Sequence, residues 1–172
     1  YTLSLHDALP ICSFSNMKES FETTHTSIVD KDGNAVSLTT TLNSNYGCKV
    51  VVDGGGFFLN NEMDDFSIKP GTPNQFGLVG AEANAIAPGK RMLSSMTPTI
   101  IEKDGDLYMV LGAPGGSTII TAVFQVFVNV AEFGMPLDSA VWAPRFHHQW
   151  LPDQIWVEPK AFGEEVKAEL AE

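Results

Sequence analysis

Two threonines carry the first chemical possibility in this chain. A hydroxyl is a latent nucleophile, and the sequence around Thr23 and Thr41 is patterned to bring two of them side by side. Thr23 to Val29 and Ala35 to Asn43 read as strands joined by Asp30-Lys31-Asp32-Gly33-Asn34, in which Gly33 suits the left-handed position of a three-residue hairpin loop. Such a loop pairs Asp30 with Asn34. Counting outward, Val29 faces Ala35, Ser27 faces Ser37, His25 faces Thr39 and Thr23 faces Thr41, with paired Cβ atoms about 4.5–5.5 Å apart. Alternation then puts Ser37, Thr39, Thr41 and Asn43 in a polar row and Val36, Leu38 and Leu42 in an apolar one, so one face is expected to be core and the other a site. Threonine is common in strands, which accounts for Thr39 or Thr40 taken singly.

A second hairpin is expected where Asp104-Gly105 separates Thr99-Ile100-Ile101-Glu102 from Leu107-Tyr108-Met109-Val110-Leu111. Its second strand runs into Gly112-Ala113-Pro114-Gly115-Gly116-Ser117, and Thr118 to Phe133 follows as a buried helix, apolar on every side and stopped by Gly134 and Pro136. A strand, a glycine pair and a helix start present free backbone N–H groups to an anion, and glycine has no Cβ to block close approach. Gly115 and Gly116 are therefore oxyanion-hole candidates, although a plain tight turn has the same sequence.

Thr23-Thr24-His25, Val29 to Val36, Asn60-Asn61-Glu62-Met63-Asp64-Asp65-Phe66, Leu93 to Thr99, Pro114-Gly115-Gly116 and Ala143 to Gln149 together resemble the small subunit of γ-glutamyltranspeptidase, or glutathione hydrolase, from Thr23 to about Pro159. The resemblance implies an N-terminal-nucleophile hydrolase, made as one precursor that cuts itself between Glu22 and Thr23. It makes Thr23 the nucleophile that forms a γ-glutamyl ester, Thr41 the hydroxyl that holds and polarises it, and Gly115 and Gly116 the oxyanion donors. Asn43, Glu62 and Asp65 would bind the α-amino end of the glutamyl group, and Ser94 and Ser95 its α-carboxylate; the residue types suit these ions. The acyl-enzyme would pass to water or to the amine of an amino acid or dipeptide. The Pro70 to Phe76 loop has the composition of a lid. His25 reads as a packing residue, since the freed amine supplies the base.

The resemblance also implies an α+β fold of two stacked antiparallel sheets between helical layers, αββα, in line with the hairpin and helix pattern. On this reading residues 1–22 precede the cleavage site and 23–172 belong to a C-terminally truncated small catalytic subunit. Within the first part, residues 1–11 resemble translated adapter sequence, and Cys12 to Glu22 the tail of the large subunit, the expected partner from the same precursor. Phe162 to Glu172 reads as an amphipathic helix. A periplasmic or extracellular location is implied by the family. Two other readings stand beside glutathione hydrolysis: an acylase or poly-γ-glutamate depolymerase on the same scaffold, and a catalytically silent binding or structural module.

Composition bounds the alternatives. The 172 residues, 44% hydrophobic, suffice for one core, and no apolar run approaches the ~20 residues of a membrane span. A net charge of −11 with dispersed acidic residues argues against nucleic acid. No cofactor or metal is expected. Asp30 to Asn34 starts like a calcium loop, but its glycine comes too early and Thr41 stands where the loop needs glutamate. His147-His148 lacks further ligands at metal-binding spacing. Cys12 and Cys48 do not establish a disulfide.

Overall fold

The computed structural model describes residues 14–16, by their backbone, and 22–170. The adapter-like residues 1–11 and Cys12 lie outside them. Three short sheets and three helices make up the described fold. β2 (Thr23–Val29) and β3 (Ala35–Thr41) form an antiparallel hairpin, as do β4 (Thr99–Lys103) and β5 (Asp106–Leu111). β1 (Phe14–Asn16), β7 (Ile155–Val157) and β6 (Phe146–His147) form a sheet in the order β1-β7-β6. The helices are α1 (Ile119–Ala131), α2 (Leu137–Trp142) and α3 (Glu164–Leu170).

The first hairpin has the register that its turn dictates. Asp30 N–H donates to the Asn34 carbonyl at 3.0 Å, Gly33 sits at φ 85°, and Thr23 pairs with Thr41, His25 with Thr39 and Ser27 with Ser37. The Asp30 carboxylate caps the loop by accepting from the Asp32 and Asn34 backbone N–H groups, each at 2.9 Å. In the second hairpin Asp104 and Gly105 both have positive φ, 56° and 91°, the combination a two-residue loop needs to follow strand twist, and a bulge lies at Ile101/Glu102.

The apolar face of the first hairpin, expected to be core, is the exposed one, while the polar row expected to form a site faces the interior and carries Thr41 to a cleft. Val36 and Leu38 are about half exposed, at 50% and 54%, with Ile28 beside them at 54%, while the Ser37-Thr39-Thr41 row is turned inward. That row lies against β5, where the Ser37 hydroxyl donates to the Leu111 carbonyl at 2.9 Å and the Ser27 hydroxyl to the Val110 carbonyl at 3.2 Å. An αββα sandwich explains this arrangement. In such a sandwich the outer face of a sheet is the one that meets a helix, and among the described residues no helix covers this one.

The core lies on the far side of the β4–β5 hairpin, where Met109 and Leu111 meet Ile119, Val123 and Val126 of α1 and Ala140 of α2. The layers are thus hairpin, hairpin and helix pair. Helix α1 is shorter than the expected Thr118 to Phe133 stretch and is buried on one stripe only: Ile120 and Phe124 are 50% and 62% exposed. Its buried stripe meets β5 and α2, and Thr121 and Gln125 bond to His147 and Phe146 of β6, while Ile120 and Phe124 are left outside these contacts. Helix α3 covers the middle of the expected Phe162 to Glu172 segment. No helix among the described residues is long and apolar enough to cross a membrane. In the full-length protein Met109→Ala, which hollows the contact between β5 and the helices, is expected to lower stability by about 2–5 kcal/mol, read as a fall in Tm on thermal unfolding.

Candidate active site

The first hairpin places Thr23 opposite Thr41, and the turn beyond β3 completes this corner. The Thr41 hydroxyl donates to the Glu22 carbonyl at 3.3 Å and accepts the Asn43 N–H at 2.9 Å. Its hydrogen bond therefore falls on the carbonyl of the peptide that precedes Thr23. Asn43 does not continue the polar row of the strand. β3 ends at Thr41, and Asn43 adopts the left-handed conformation at φ 73°, which asparagine tolerates better than most residues. The turn buries its side chain, whose Nδ2 donates to the Asn61 carbonyl at 3.2 Å. Asn61 also accepts the Ser44 N–H at its side-chain oxygen, at 3.0 Å, and so organises the corner. No role was expected of Asn61; its position directly before Glu62 was the available signal.

Glu62 and Asp65 bracket a single 3₁₀ turn, Glu62–Asp65, in which residues three apart share a side. Their carboxyls interact, and a hydrogen bond between them needs a proton on one of the two. Burial, then that hydrogen bond and the Asp65 charge, push the Glu62 carboxyl up to about 7. Burial also raises Asp65, with the Asp64 charge adding to it and the Glu62 hydrogen bond opposing it. Glu62 Oε1 is buried and has no hydrogen-bond partner in the structure. A cation with several N–H donors would satisfy the pair that the fold leaves short of positive charge.

The lid-like loop is pinned near the same place. Asn74 Oδ1 accepts the Phe76 and Leu78 N–H groups, both at 2.9 Å, Gln75 N–H donates to Asp64 at 3.3 Å, and the Ser44 hydroxyl meets Gln75 Oε1 at 3.1 Å. From β5 the chain passes through Gly115, at φ 135°, into a 3₁₀ turn, Gly116–Thr118, that feeds α1. The two glycines are not equivalent. Gly115 is buried, and its carbonyl accepts the Thr118 hydroxyl at 2.9 Å.

One small cleft, of about 40 Å³, joins these parts. Thr23, Thr41, Asn43, Glu62, Asp65, Ser94, Ser95 and Gly116 all line it; Glu22 and Gly115 are not among its lining residues. Phe76 and Leu78 from the loop, Met96, Ser117 and Ile119 complete the wall, and of these only Leu78 lies outside the segments that the sequence pointed to. Residues separated by most of the chain thus converge on one hydroxyl. A larger cavity of about 560 Å³ adjoins the cleft through Asp65, Leu78, Ser95 and Ser117. Among the described residues no group of three or more His, Cys, Asp or Glu could hold a metal ion. His147 is engaged by Thr121 and Gln149, each at 2.8 Å, and His148 by Asp153 at 3.0 Å. Cys48 is an exposed free thiol.

The gamma-glutamyltranspeptidase family model matches residues 6–172. The chain is 59% identical over 140 residues to the glutathione hydrolase proenzyme of Escherichia coli K12, covering 81% of this chain and 24% of that one. It is 57% identical over 156 residues to the glutathione hydrolase proenzyme of Pseudomonas aeruginosa, covering 87% and 28%. The chain thus spans about a quarter of the length of these relatives. The crystal structure of the T380A mutant of Helicobacter pylori gamma-glutamyltranspeptidase superposes with a TM-score of 0.81 at 56% identity, over 86% of this chain and 79% of that one. The α+β architecture is the N-terminal-nucleophile hydrolase fold of these structures. A matched family model over nearly the whole chain, high identity and a shared fold lead to one conclusion: this chain belongs to the gamma-glutamyltranspeptidase family.

Proposed function

We propose that this chain is the catalytic part of a γ-glutamyl transferase and hydrolase that first cuts its own backbone between Glu22 and Thr23. The observation that carries the reading is the Thr41 hydroxyl bonded to the Glu22 carbonyl, on a cleft where Thr23, two carboxyls, two serines and Gly116 meet. In the first reaction the Thr23 hydroxyl attacks the Glu22 carbonyl carbon, with Thr41 donating to the oxygen as charge grows on it. The peptide C–N bond breaks, the acyl group passes to the Thr23 oxygen, and the nitrogen becomes a free α-amine. Water then hydrolyses the ester. This cut makes the catalyst, because an amide nitrogen has no available lone pair, whereas an α-amine with a pKa of about 7.7–8.0 is partly neutral at pH 7 and can take the hydroxyl proton.

In the second reaction the same hydroxyl attacks the γ-carbonyl of glutathione or another γ-glutamyl donor. The α-amine carries the proton to the leaving amine, and a γ-glutamyl ester remains on Thr23. Gly116, preceded by Gly115, stabilises the oxyanion. Glu62, Asp65 and Asn43 hold the donor's ammonium, and Ser94 and Ser95 its carboxylate. Water resolves the ester as hydrolysis, and an amino acid or dipeptide amine resolves it as transfer. The large subunit of the same precursor is the partner of this chain, and the family reading carries a periplasmic or extracellular site of action.

Expression of the full-length precursor is expected to yield a subunit whose N-terminal residue is Thr23, by mass spectrometry, and turnover of γ-glutamyl-p-nitroanilide that rises with an acceptor dipeptide. Thr23→Ala should abolish cleavage and turnover alike; turnover retained in that variant would refute the nucleophile. Thr41→Val, which removes the donor to the Glu22 carbonyl, should slow cleavage by on the order of 10²-fold.

The raised Glu62 carboxyl gives a pH dependence of defined sign. Its deprotonated form is the one that pairs with an ammonium, and protonation on falling through pH 7 removes that charge. Donor KM should therefore rise as pH drops below about 7, and Glu62→Gln should flatten the rise. A donor KM independent of pH between 5 and 8 in the wild type, a range of about 3 units around the shifted value, would count against the ammonium site.

A further inference from the structure

We propose that His25 and Gly112 form a positioning pair, an imidazole seated on bare backbone, that fixes how far the Thr23 hydroxyl stands from Gly116. The inference rests on Thr23 being the nucleophile, as argued above. The two halves of the site come from different hairpins. β2 begins at Thr23, and β5 ends at Leu111, from which Gly112 leads into the Gly115-Gly116 turn. Their relative position is set by contacts between facing surfaces, because the connecting chain is far too long to set it.

His25 lies on the same strand face as Thr23, about 6.8 Å along β2. Its ring rests directly over Gly112. A Cβ added at position 112 would stand 2.1 Å from both Cε1 and Nδ1 and 2.5 Å from Cγ of the imidazole, inside any permitted contact. Gly112 is not among the residues with positive φ, so its conformation does not demand glycine. The residue is there for space. Any side chain at 112 must push the ring away, and with it the strand that carries Thr23 or the strand that leads to Gly116.

The ring is held so that it cannot yield cheaply. Nδ1 lies 2.7 Å from the Thr39 hydroxyl and Nε2 lies 2.9 Å from the Ser27 hydroxyl. Because Ser27 donates to the Val110 carbonyl at 3.2 Å, its oxygen accepts from Nε2–H, which leaves Nδ1 to accept from Thr39. The chain of donors runs Thr39 to His25 to Ser27 to Val110, and so ends on β5 itself. Burial lowers the imidazole pKa, which suits this neutral form. Both nitrogens are committed, so His25 acts through Thr23's position and not as a base. The Ser37 hydroxyl on the Leu111 carbonyl tethers the same two hairpins one strand over.

The test uses Gly112→Ala, His25→Ala and the double variant in the full-length precursor, reading cleavage before Thr23, kcat and donor KM, and the Tm of the product. Gly112→Ala is expected to lower the cleavage rate and kcat by about tenfold to a hundredfold, the cost of roughly an ångström of misplacement, with donor KM nearly unchanged because the glutamate-binding residues do not move. The double variant should be faster than Gly112→Ala alone, since the methyl occupies the space that the ring leaves. His25→Gln, which keeps one acceptor and one donor, should retain more kcat than His25→Leu. Wild-type kcat in Gly112→Ala, additive losses in the double variant, or loss confined to KM would overturn the proposal. If Gly112→Ala does not accumulate, equal kcat in His25→Gln and His25→Leu would overturn it. A wild-type precursor that never cuts before Thr23 would instead overturn the function proposed above.

Discussion

The pairing of Thr23 with Thr41 is the constraint on which the rest depends. A strand alternates its side chains between two faces, so a slip of one residue would turn Thr23, His25 and Ser27 outward and bring Thr24 and Thr26 in. The turn prevents this. Gly33 closes the loop in a conformation that costs a residue with a side chain free energy, and the Asp30 carboxylate holds the loop by three donors from Asp32 and Asn34. Several polar contacts then hold the hairpin on β5. The inner face is polar because these contacts are hydrogen bonds to the carbonyls of another strand and not packing.

The carboxyl pair lies at the other end of the cleft and obeys a different logic. Two acids on one 3₁₀ turn, both partly buried, resist ionising, which is a poor arrangement for stability. It suits a site that waits for a positive charge. The turn is held among loops whose hydrogen bonds come largely from asparagines: Asn43, Asn61, Asn74 and Asn84 each bridge segments distant in sequence or close a tight turn. Precise placement here depends on amide side chains, since regular secondary structure is nearly absent between Leu42 and Pro98.

Local features of this fold were legible in the sequence, and features set by neighbouring layers were not. The Thr23–Thr41 register followed from five turn residues, and Asp104-Gly105 marked the second hairpin, because backbone conformation at such turns depends on the residues themselves. Which face of the first hairpin is buried depends on what covers the other face, and alternation alone took the apolar face for core, although the polar one does carry Thr23 and Thr41 to the cleft. The helix beginning near Thr118 was visible, whereas its exposed Ile120 and Phe124 were not, since apolar residues on every side do not say how many neighbours the helix has. Asn43, counted in the polar row of the strand, reaches the cleft by a left-handed turn and not by continuing β3. Glu62, Asp65, Ser94 and Ser95 came from family resemblance, because no local pattern distinguishes a ligand-binding loop from a solvated one.

The contact between Thr41 and the Glu22 carbonyl makes the molecule its own first customer. On the proposed chemistry, the geometry that later handles a donor must first handle the backbone, and the amine that later serves as base is released only by success in that trial. A chain with a slipped hairpin or a displaced glycine loop would leave the amine locked in its amide. Activity then reports on assembly: errors in folding produce silent protein and not a careless hydrolase, without any separate inspector.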